Sequence, residues 1–548
     1  MILIRTLLLI CSLLGFGFMV KKLLKIEWAF IPAFLISSIT CTLIVIGIMG
    51  LSIRIAAWII VSGGFLVGLF LLYKDLKHKT KQDDLRENMG LAILFVAGIV
   101  FMAIYTHNRV FNNWDNFSHW GLMVKLILRD GCLPNGNNNL LYHYSYPVAT
   151  SVFNSFFCMI TGSEKESTMM FAQGLVIISF LCPIWVLLKK KWTSAVMIVL
   201  AFFAGGFFIN PLTNLYVDSL LAVCTGGIMS ICFYYKNDKR IYGIVPMCMF
   251  LISVKNSGWF FFAFIIAFTI VFTKYKKIKH IIKIVLPCVF MQIIWRIHIA
   301  IAYSGVNTTA VHDMSVSNYY ETLHDKNRDT ILTILKNFVK RFFTITNYEF
   351  IPYIIIALLV VMAVILYKKK NGNFAIIKKL IILSVVTVIT YLAFLYLTYI
   401  ISMKGSESLN LASYDRYYKT VLILLMYILV LGFSVFENSI TTGKALTVGK
   451  WAIIISIYSI MFCMLSNMWT YSKGKYTLEK RMKITNAVKD IDGSCTVILQ
   501  GNKDLLPYAA MVTRYELLSS DVICDYNNKY NENNVDTIDN PYFVLIED

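Results

Sequence analysis

Apolar runs long enough to cross a bilayer recur along the whole chain, and they constrain its fold more than any other feature. A transmembrane helix needs about 20 consecutive apolar residues. Hydrophobic residues make up 58% of the 548 residues and charged residues only 15%, against about 25% charged in soluble globular proteins. The sequence therefore predicts an all-α polytopic membrane protein rather than a soluble fold with a single anchor.

The spacing of these runs predicts about fourteen transmembrane helices. The first run leads directly into lysines without a small-residue cleavage site, so it is interpreted as a retained helix and not as a signal peptide. The predicted crossings lie at roughly residues 2–20, 28–50, 54–73, 89–107, 167–188, 193–209, 218–235, 241–254, 258–273, 281–303, 350–366, 380–401, 420–436 and 451–468.

Lysine clusters recur between alternate apolar runs, and they predict the orientation of the chain. Cytoplasmic loops of membrane proteins are enriched in Lys and Arg, so these clusters are assigned to the cytoplasm. The formal net charge of +20 then reflects topology, and nucleic acid is not an expected partner. The clusters are KKLLK at 21–25, KDLKHKTK at 74–81, KKK at 189–191, KNDKR at 236–240, KYKKIK at 274–279 and KKK at 368–370.

Four loops and the C-terminal tail are consequently expected outside the cell, and the loop 108–166 has structure of its own. Apolar residues from Phe117 to Leu128 recur at three- and four-residue steps, which predicts an interfacial helix at 116–129 lying on the membrane. Residues 148–160 are too short to span comfortably and are predicted to form a partly embedded helix. The other outer loops are 210–217, 304–349 and 402–419.

The tail differs in composition from the rest, which divides the chain into a transmembrane domain at 1–468 and a small extracytoplasmic α/β domain at 469–548. Strands are predicted at 495–499, 521–526 and 541–547, with a helix near 505–517. Residues 527–536 are predicted to form a loop. Twelve cysteines lack any CxxC pair, so neither zinc nor a redox centre is indicated. Whether Cys495 and Cys524 form a disulfide stays open.

Ionisable residues gather at the predicted outer ends of the helices, although ionisable groups in lipid are costly unless paired or hydrated. Such groups predict a mixed acidic and basic cavity that opens outward. A basic group there suits a lipid-linked phosphate, and a carboxylate suits proton removal from an attacking hydroxyl. The residues concerned are Asp115, His119, Asp218, Lys255, Arg296, His298, Asp415 and Arg416.

Several short motifs, taken in order, resemble the GT-C superfamily, the polytopic glycosyltransferases that use polyprenyl-phosphate sugars. The resemblance covers most of residues 89–430 and depends on the order of the motifs more than on any one of them. The motifs are WDNFSHWG at 114–121, YHYSYPVA at 142–149, LYVDSLLA at 215–222, VKNSG at 254–258 and SYDRYYK at 413–419.

The resemblance implies transfer of a sugar from a polyprenyl-phosphate donor in the bilayer to a cell-envelope polysaccharide, glycopolymer or glycolipid on the outer face. The residue that matches the proposed catalytic base of the superfamily is Asp115. Lys255, Arg296 or Arg416 would hold the donor phosphate, and aromatic rings such as Tyr144 would stack on sugar or anchor the loop. The substrate-binding residues implied are Trp114, His119, Tyr142, His143, Asp218, Lys255, Arg296 and Arg416.

A divalent cation, Mg²⁺ or Mn²⁺, is left open by the resemblance. Many members carry a second acid directly after the first, whereas Asn116 follows Asp115 here. Asp218 is the other matching carboxylate. No other cofactor is expected.

Simpler roles compete for each of these residues. Asp115 is placed to cap the helix that begins at Asn116, and Lys255 to extend its side chain toward lipid headgroups. Asp415 and Arg416 are placed to pair with each other at the surface, which contributes little stability. His119 fits a hydrogen-bonding role, and the aromatic residues near 114–146 fit a membrane-interface belt.

Three other functions compete with glycosyl transfer. A flippase or transporter of lipid-linked saccharides would place charged residues near the bilayer midplane. A polymerase or ligase of surface polysaccharide would use several arginines in a late outer loop, and 304–349 contains Arg328 and Arg341. A non-enzymatic envelope scaffold would use the tail as its binding module.

Overall fold

The protein is predominantly helical, with a small parallel sheet near the C-terminus. The computed structural model describes residues 1–78, 88–137, 140–141, 143–207, 212–306, 316–344, 349–439, 478–527, 529–530, 538 and 540–546. Its helices are α1 (Ile2–Leu24), α2 (Ile31–Ile48), α3 (Ile53–His78), α4 (Met89–Thr106), α5 (Gly121–Asp130), α6 (Ala149–Thr161), α7 (Glu166–Leu181), α8 (Ile184–Leu187), α9 (Trp192–Phe207), α10 (Asp218–Tyr234), α11 (Val245–Ile252), α12 (Gly258–Phe272), α13 (Ile278–Ala302), α14 (Val316–His324), α15 (Arg328–Phe343), α16 (Ile351–Lys368), α17 (Phe374–Ile401), α18 (Gly405–Leu409), α19 (Tyr414–Ser439), α20 (Leu478–Val488) and α21 (Leu506–Leu517).

Within the described residues, 9 helices are long and apolar enough to cross a membrane, which agrees with a multi-pass membrane protein. Each crossing predicted before residue 440 overlaps a helix. Four of those helices, α9 to α12, are shorter than 18 residues, and the last predicted crossing, 451–468, lies outside the described residues. The count of fourteen therefore stays a prediction.

Helices α10 and α12 run in the same direction, which separates their lysine-rich ends from the predicted site. Helix α10 begins at Asp218 and ends just before Lys236, and α12 begins at Gly258 and ends just before Lys274. The backbone N–H of Lys274 donates to the carbonyl of Lys236 at 3.0 Å, so these two ends lie together. The opposite ends of α10 and α12 consequently face the other side of the helix bundle.

Lys255 lies in the tight turn between α11 and α12. The N–H of Gly258 donates to the carbonyl of Lys255 at 2.8 Å and closes this turn. A Cβ atom at Gly258 would lie 2.4 Å from the carbonyl oxygen of Leu251, so a larger residue there would force the turn open. The turn is further fixed by the N–H of Ala149, which donates to the carbonyl of Ser253 at 2.7 Å.

The predicted helix in the loop 108–166 forms, but its apolar face is covered by protein and not by lipid. A π-helical turn spans Asn116–Trp120 and continues into α5. Phe117, Val124 and Ile127 are fully buried, because α6 packs against α5 and α21 packs against the π-helical turn. The expectation of a helix lying on the membrane surface is therefore wrong for this face. Helix α6, predicted to dip into lipid, is likewise almost entirely buried.

The tail forms the predicted α/β unit, here called the tail domain (residues 478–546). Strands β1 (Thr496–Gly501), β2 (Val522–Cys524) and β3 (Pro541–Ile546) make a parallel sheet in the order β2-β1-β3, and α21 connects β1 to β2.

The two cysteines of the tail domain do not form a disulfide. Leu499 pairs with Cys524, so Cys495 lies roughly 13 Å along the strand from that pair. This is beyond the reach of a disulfide, and both thiols are free. Helix α20 was not predicted.

The tail domain docks directly on the segment that carries Asp115. The hydroxyl of Tyr508 donates to the carbonyl of Asn112 at 3.0 Å, and the ring of Phe117 packs edge-on against Tyr515, with centroids 5.2 Å apart. Lys125 Nζ lies 3.1 Å from Glu516 Oε2. The small domain is therefore part of the structure around the loop and not an independent appendage.

Arg481 is the central cation of this docking interface. Its side chain is almost completely buried, pairs with Glu166 at 3.4 Å and with Glu516, and lies over the ring of Phe117 at 4.9 Å. Glu166 also accepts a hydrogen bond from the N–H of Phe111. A buried charge left without its partner is strongly destabilising, so this arginine is expected to hold the tail domain in place.

Replacing Arg481 with Gln should loosen the tail domain, because Glu166 and Glu516 would lose a buried cation. Breaking such a pair typically costs about 3–5 kcal/mol. We expect faster hydrogen–deuterium exchange in α21 and in residues 111–130. Lys483→Gln is the matched control, since Lys483 lies on the same helix, is 54% exposed and pairs at 3.9 Å with the exposed Glu479. Equal exchange in the two variants would contradict the assignment.

The docking should also weaken in acid through Glu516. Burial by itself would raise the pKa of Glu516, but the charges of Lys125 and Arg481 outweigh burial and lower it below 4.5. A carboxylate with a lowered pKa stabilises the folded state above its ordinary pKa, and this contribution is lost as the pH falls through the lowered value. Wild-type protein should therefore unfold at a higher temperature than Glu516→Gln at pH 7, with the difference vanishing well below pH 4.5. A difference in unfolding temperature that stays constant from pH 7 to well below pH 4.5 would contradict this role of Glu516.

Candidate functional site

Four charged residues from distant parts of the sequence meet at one end of the helix bundle. Asp115 directly precedes the π-helical turn, and Asp218 is the first residue of α10. Lys255 lies in the turn between α11 and α12, and Arg416 lies in the first turn of α19. We call Asp115, Asp218, Lys255 and Arg416 the charged cluster.

The four side chains form a continuous ionic chain. Arg416 Nη1 donates to Asp115 Oδ2 at 3.0 Å, and Arg416 Nε lies 3.2 Å from Asp218 Oδ2. Lys255 Nζ donates to the other carboxylate oxygen, Asp218 Oδ1, at 3.0 Å. Asp218 therefore lies between two cations, and Arg416 lies between two carboxylates.

The two carboxylates differ strongly in exposure. The Asp218 side chain is 6% exposed, whereas that of Asp115 is 37% exposed. Removing a buried carboxylate from water is costly unless cations and hydrogen bonds compensate, and Asp218 has two cations. Asp115 has one ion-pair partner among the described residues, Arg416, and faces solvent. Asp218 is thus suited to a structural role and Asp115 to contact with a ligand.

Two tyrosines that the sequence did not single out line the cations. The guanidinium of Arg416 lies over Tyr216 at 4.8 Å and over Tyr417 at 5.3 Å, and Lys255 Nζ lies 5.5 Å from the Tyr417 ring centroid. The negative face of an aromatic ring attracts a cation, more strongly when water is excluded. Tyr216 lies two residues before Asp218, and Tyr417 directly follows Arg416. Their positions next to these two charged residues could have identified both tyrosines from the sequence.

A buried hydrogen-bond network holds the segment before Asp218. Asn116 Oδ1 accepts from the N–H of Leu215 at 3.0 Å, and Gln173 Nε2 donates to the carbonyls of Leu215 and Tyr216 at 3.3 and 3.2 Å. Asn154 Nδ2 donates in turn to Gln173 Oε1 at 3.3 Å. Gln173 is a polar residue within a predicted crossing, which is a signal for a functional or structural contact. The network fixes the start of α10 relative to the Asp115 loop.

His119 lies beside the cluster in an aromatic enclosure. Its ring centroid is 5.8 Å from that of His143 and 5.5 Å from that of Tyr146. Burial lowers the pKa of His119 well below 6.5, and the charges of His143 and Lys255 lower it further. Burial raises the pKa of Tyr146 to about 12. Both side chains are therefore neutral at pH 7, and the permanent charge resides on the cluster.

Lys255 is a cation under all physiological conditions. Burial alone would lower the pKa of Lys255, but the carboxylate of Asp218 outweighs burial and holds that pKa above 10.5. Its ammonium group points at Asp218 and not outward. The alternative in which Lys255 extends toward lipid headgroups is therefore wrong.

Two other simple roles are also contradicted by the contacts. Asp115 is at the N-cap position but its side chain makes no capping hydrogen bond; it binds Arg416. Asp415 and Arg416 do not pair with each other, because Asp415 Oδ1 accepts from Arg341 Nη2 at 2.5 Å. Arg341 Nη1 also donates to Glu349 Oε1 at 2.7 Å. We call Arg341, Glu349 and Asp415 the Arg341 cluster.

The remaining predicted site residues lie around the cluster or outside the described part of the chain. Trp114 lies beside Tyr508 of the tail domain, with centroids 6.4 Å apart, and His143 stacks on Tyr146. Arg296 is half-buried on α13, and the ion pairs that link the charged cluster do not pass through it. Tyr142 lies outside the described residues.

Helix α13 contacts the loop through residues near Arg296. The indole N–H of Trp295 donates to the carbonyl of Ser145 at 3.3 Å, and the ring of His298 lies 5.5 Å from that of Trp295. Tyr303 stacks on Tyr144 with centroids 4.4 Å apart. The C-terminal end of α13 therefore lies on the same side of the bundle as the Asp115 loop.

A divalent metal does not fit the carboxylates as they are arranged. Asp115 and Asp218 are both engaged by Arg416, and Asp218 also by Lys255. Metal sites for hard cations use several oxygen ligands, and within the described residues no group of three or more His, Cys, Asp or Glu side chains could hold a metal ion.

Comparison of the sequence with models of known protein families finds no match, and comparison with curated proteins finds none either.

Asp218 should be the residue on which the cluster depends for stability. Asp218→Asn leaves Lys255 without its carboxylate and Arg416 with Asp115 alone, and breaking a buried pair typically costs about 3–5 kcal/mol. Lys255→Met should also destabilise, and the double variant should lose less than the sum of the two by about 0.5–3 kcal/mol. Thermal unfolding in detergent measures these changes.

Asp130→Asn is the control for that experiment, because Asp130 pairs with Arg129 at an exposed position. Its effect should stay within about 0.5 kcal/mol. Additive losses in the Asp218 and Lys255 variants would contradict a direct pairing between them.

Proposed function

We propose that the protein transfers a sugar from a polyprenyl-phosphate donor to a hydroxyl of a cell-envelope glycan or glycolipid, with Asp115 as the general base. The observation that carries the proposal is the ionic chain at one end of an apolar helix bundle. In this chain a half-exposed carboxylate, Asp115, pairs with Arg416, and the buried acid Asp218 joins Arg416 to the second cation, Lys255. A donor of this kind has an isoprenoid tail that lies in the bilayer and a charged head at its border. The bilayer itself is thus a partner.

The proposed reaction is an in-line displacement at the sugar carbon that bears the phosphate. The acceptor oxygen forms a new bond to that carbon, while the carbon–oxygen bond to phosphate breaks and its electron pair stays on the phosphate. The proton of the acceptor hydroxyl passes to the carboxylate of Asp115. A base must lie within about 3 Å of the proton it removes, and the exposure of Asp115 allows such an approach.

Lys255 and Arg416 are assigned to the leaving phosphate. Negative charge grows on the phosphate as the bond breaks, and preorganised cations stabilise such charge more in a water-poor site than in bulk water. Arg416 presents a planar fork of donors suited to phosphate oxygens. Asp218 is assigned to hold both cations in position. Arg296, half-buried on α13, stays a predicted contact of the donor phosphate.

The position of the charges favours transfer over transport. A transporter would place them near the middle of its membrane-crossing helices, whereas Asp218, Lys255 and Arg416 lie at helix ends. One alternative to glycosyl transfer from a single-sugar donor, a polymerase or ligase of lipid-linked glycans, is also supported by an observation. Arg341 pairs with Asp415, the residue next to Arg416, so the late outer loop does supply an arginine close to the cluster.

Asp115→Asn should abolish most sugar transfer while the protein stays folded. General-base catalysis typically contributes a factor of about 10² to 10⁴, and Asn cannot take the proton. The assay incubates purified protein in liposomes with a radiolabelled polyprenyl-phosphate sugar and an envelope glycan extract, and it follows labelled glycan and released lipid carrier. The matched control is Asp130→Asn, which lies at the end of the same helical segment and should keep activity within about twofold.

Three results would overturn the proposal. Full activity of Asp115→Asn would remove the assigned base. Label that crosses the membrane with its lipid linkage intact would identify a transporter. No release of lipid carrier by wild-type protein under any acceptor condition would favour a scaffold.

A further inference from the structure

Arg416 holds two carboxylates that are not equally able to leave it. Asp218 is 6% exposed and is also bound by Lys255, whereas Asp115 is 37% exposed. Arg416 itself is 20% exposed, so part of its guanidinium is open to an anion from solvent. Of its two carboxylate partners, Asp115 is the more exposed and has no second cation among the described ion pairs, so it is the one that an arriving anion can more readily replace.

The formal charge of the cluster decides what must happen when an anion arrives. Asp115, Asp218, Lys255 and Arg416 sum to zero, since two carboxylates face two cations. A phosphate added to this neutral set would lie close to two carboxylates in a partly buried site, and like charges at short range repel strongly where the effective dielectric constant is low. Phosphate binding at Arg416 consequently requires one carboxylate to move away, and Asp218 is held from both sides.

We propose that the donor phosphate takes the place of Asp115 on Arg416, so that the donor must bind before the base is released to the acceptor. This inference rests on the proposed function and deepens it by assigning an order of binding. Arg416 has two successive partners: Asp115 in the resting protein and the lipid phosphate in the donor complex. The carboxylate that leaves Arg416 turns to the solvent side, where the acceptor hydroxyl enters.

The order has a chemical consequence. While Asp115 is paired with Arg416, its Oδ2 atom accepts a hydrogen bond from the guanidinium, so the carboxylate is held at the arginine by one of its two oxygens. In the proposed order the whole carboxylate becomes free to turn to the acceptor hydroxyl only after the donor phosphate has taken Arg416. This couples donor binding to catalysis by exchange of one ion pair, without a large movement of the fold.

The Arg341 cluster provides a matched control within the same protein. Arg341 also holds one buried acid, Glu349 at 1% exposure, and one half-exposed acid, Asp415 at 39% exposure. Asp415 precedes Arg416 in the sequence but pairs with the other arginine. Asp415→Asn thus removes the same charge from a carboxylate of similar exposure, at 39% against 37%, without removing a partner of Arg416.

The experiment measures binding of sugar-free polyprenyl phosphate to purified protein in nanodiscs. Asp115→Asn should bind this lipid about five- to tenfold more tightly than wild type, because the phosphate no longer competes with a carboxylate; a tenfold change corresponds to about 1.4 kcal/mol. Asp415→Asn should stay within about twofold, and Arg416→Gln should lose about tenfold or more. Asp115→Ala is the second variant if Asp115→Asn fails to fold.

Three results would overturn either the exchange on Arg416 or the proposed function. Unchanged or weaker binding by Asp115→Asn, with wild type binding well, would overturn the exchange but leave the proposed function standing. An equal gain in affinity for the lipid phosphate in Asp115→Asn and Asp415→Asn would also overturn the exchange, because the gain would then follow from the total charge of the protein. No binding of the lipid phosphate by wild type or any variant would overturn the proposed function itself.

Discussion

The structure around the site depends on one buried carboxylate, Asp218, held between Lys255 and Arg416. A charge that is nearly excluded from water is tolerated only when cations and hydrogen bonds surround it. To satisfy this requirement, the starts of α10 and α19 and the turn between α11 and α12 must meet at one point. The network from Asn154 through Gln173 to the backbone before Asp218 then fixes the loop of Asp115 relative to these helices.

A second buried cation, Arg481, extends the same principle to the tail domain. Its contacts with Glu166 and Glu516 place α21 against the segment that carries Asp115. The exposed carboxylate of Asp115 is therefore supported from two sides, by the helix bundle and by the tail domain. Rigid support of this kind would suit the general base proposed at Asp115, because small displacements of a reacting group are costly in rate.

The sequence predicted the long apolar helices, the tail strands and part of the candidate site. Each crossing predicted before residue 440 overlaps a helix, and all three strands of the tail were found, since apolar periodicity is a local signal. Helices α14, α15, α18 and α20 were not predicted. Asp115, Asp218, Lys255 and Arg416 were all singled out, because ionisable residues beside apolar runs are rare and conspicuous. Tyr216, Tyr417 and Gln173 were missed. Aromatic and amide side chains are common near a membrane border for structural reasons, so those that line a site cannot be distinguished from the others by residue type alone.

The sequence by itself determined that the chain is a multi-pass helical protein with ionisable residues at helix ends, since length, composition and charge asymmetry are local properties of the chain. Only the tertiary structure decided which of those charges meet. It paired Arg416 with Asp115 and Asp218 instead of Asp415, and it covered the amphipathic helix after Asp115 with the tail domain and α6 instead of lipid. Partners 301 residues apart in the chain are brought together by packing of whole helices, and no local pattern records that choice.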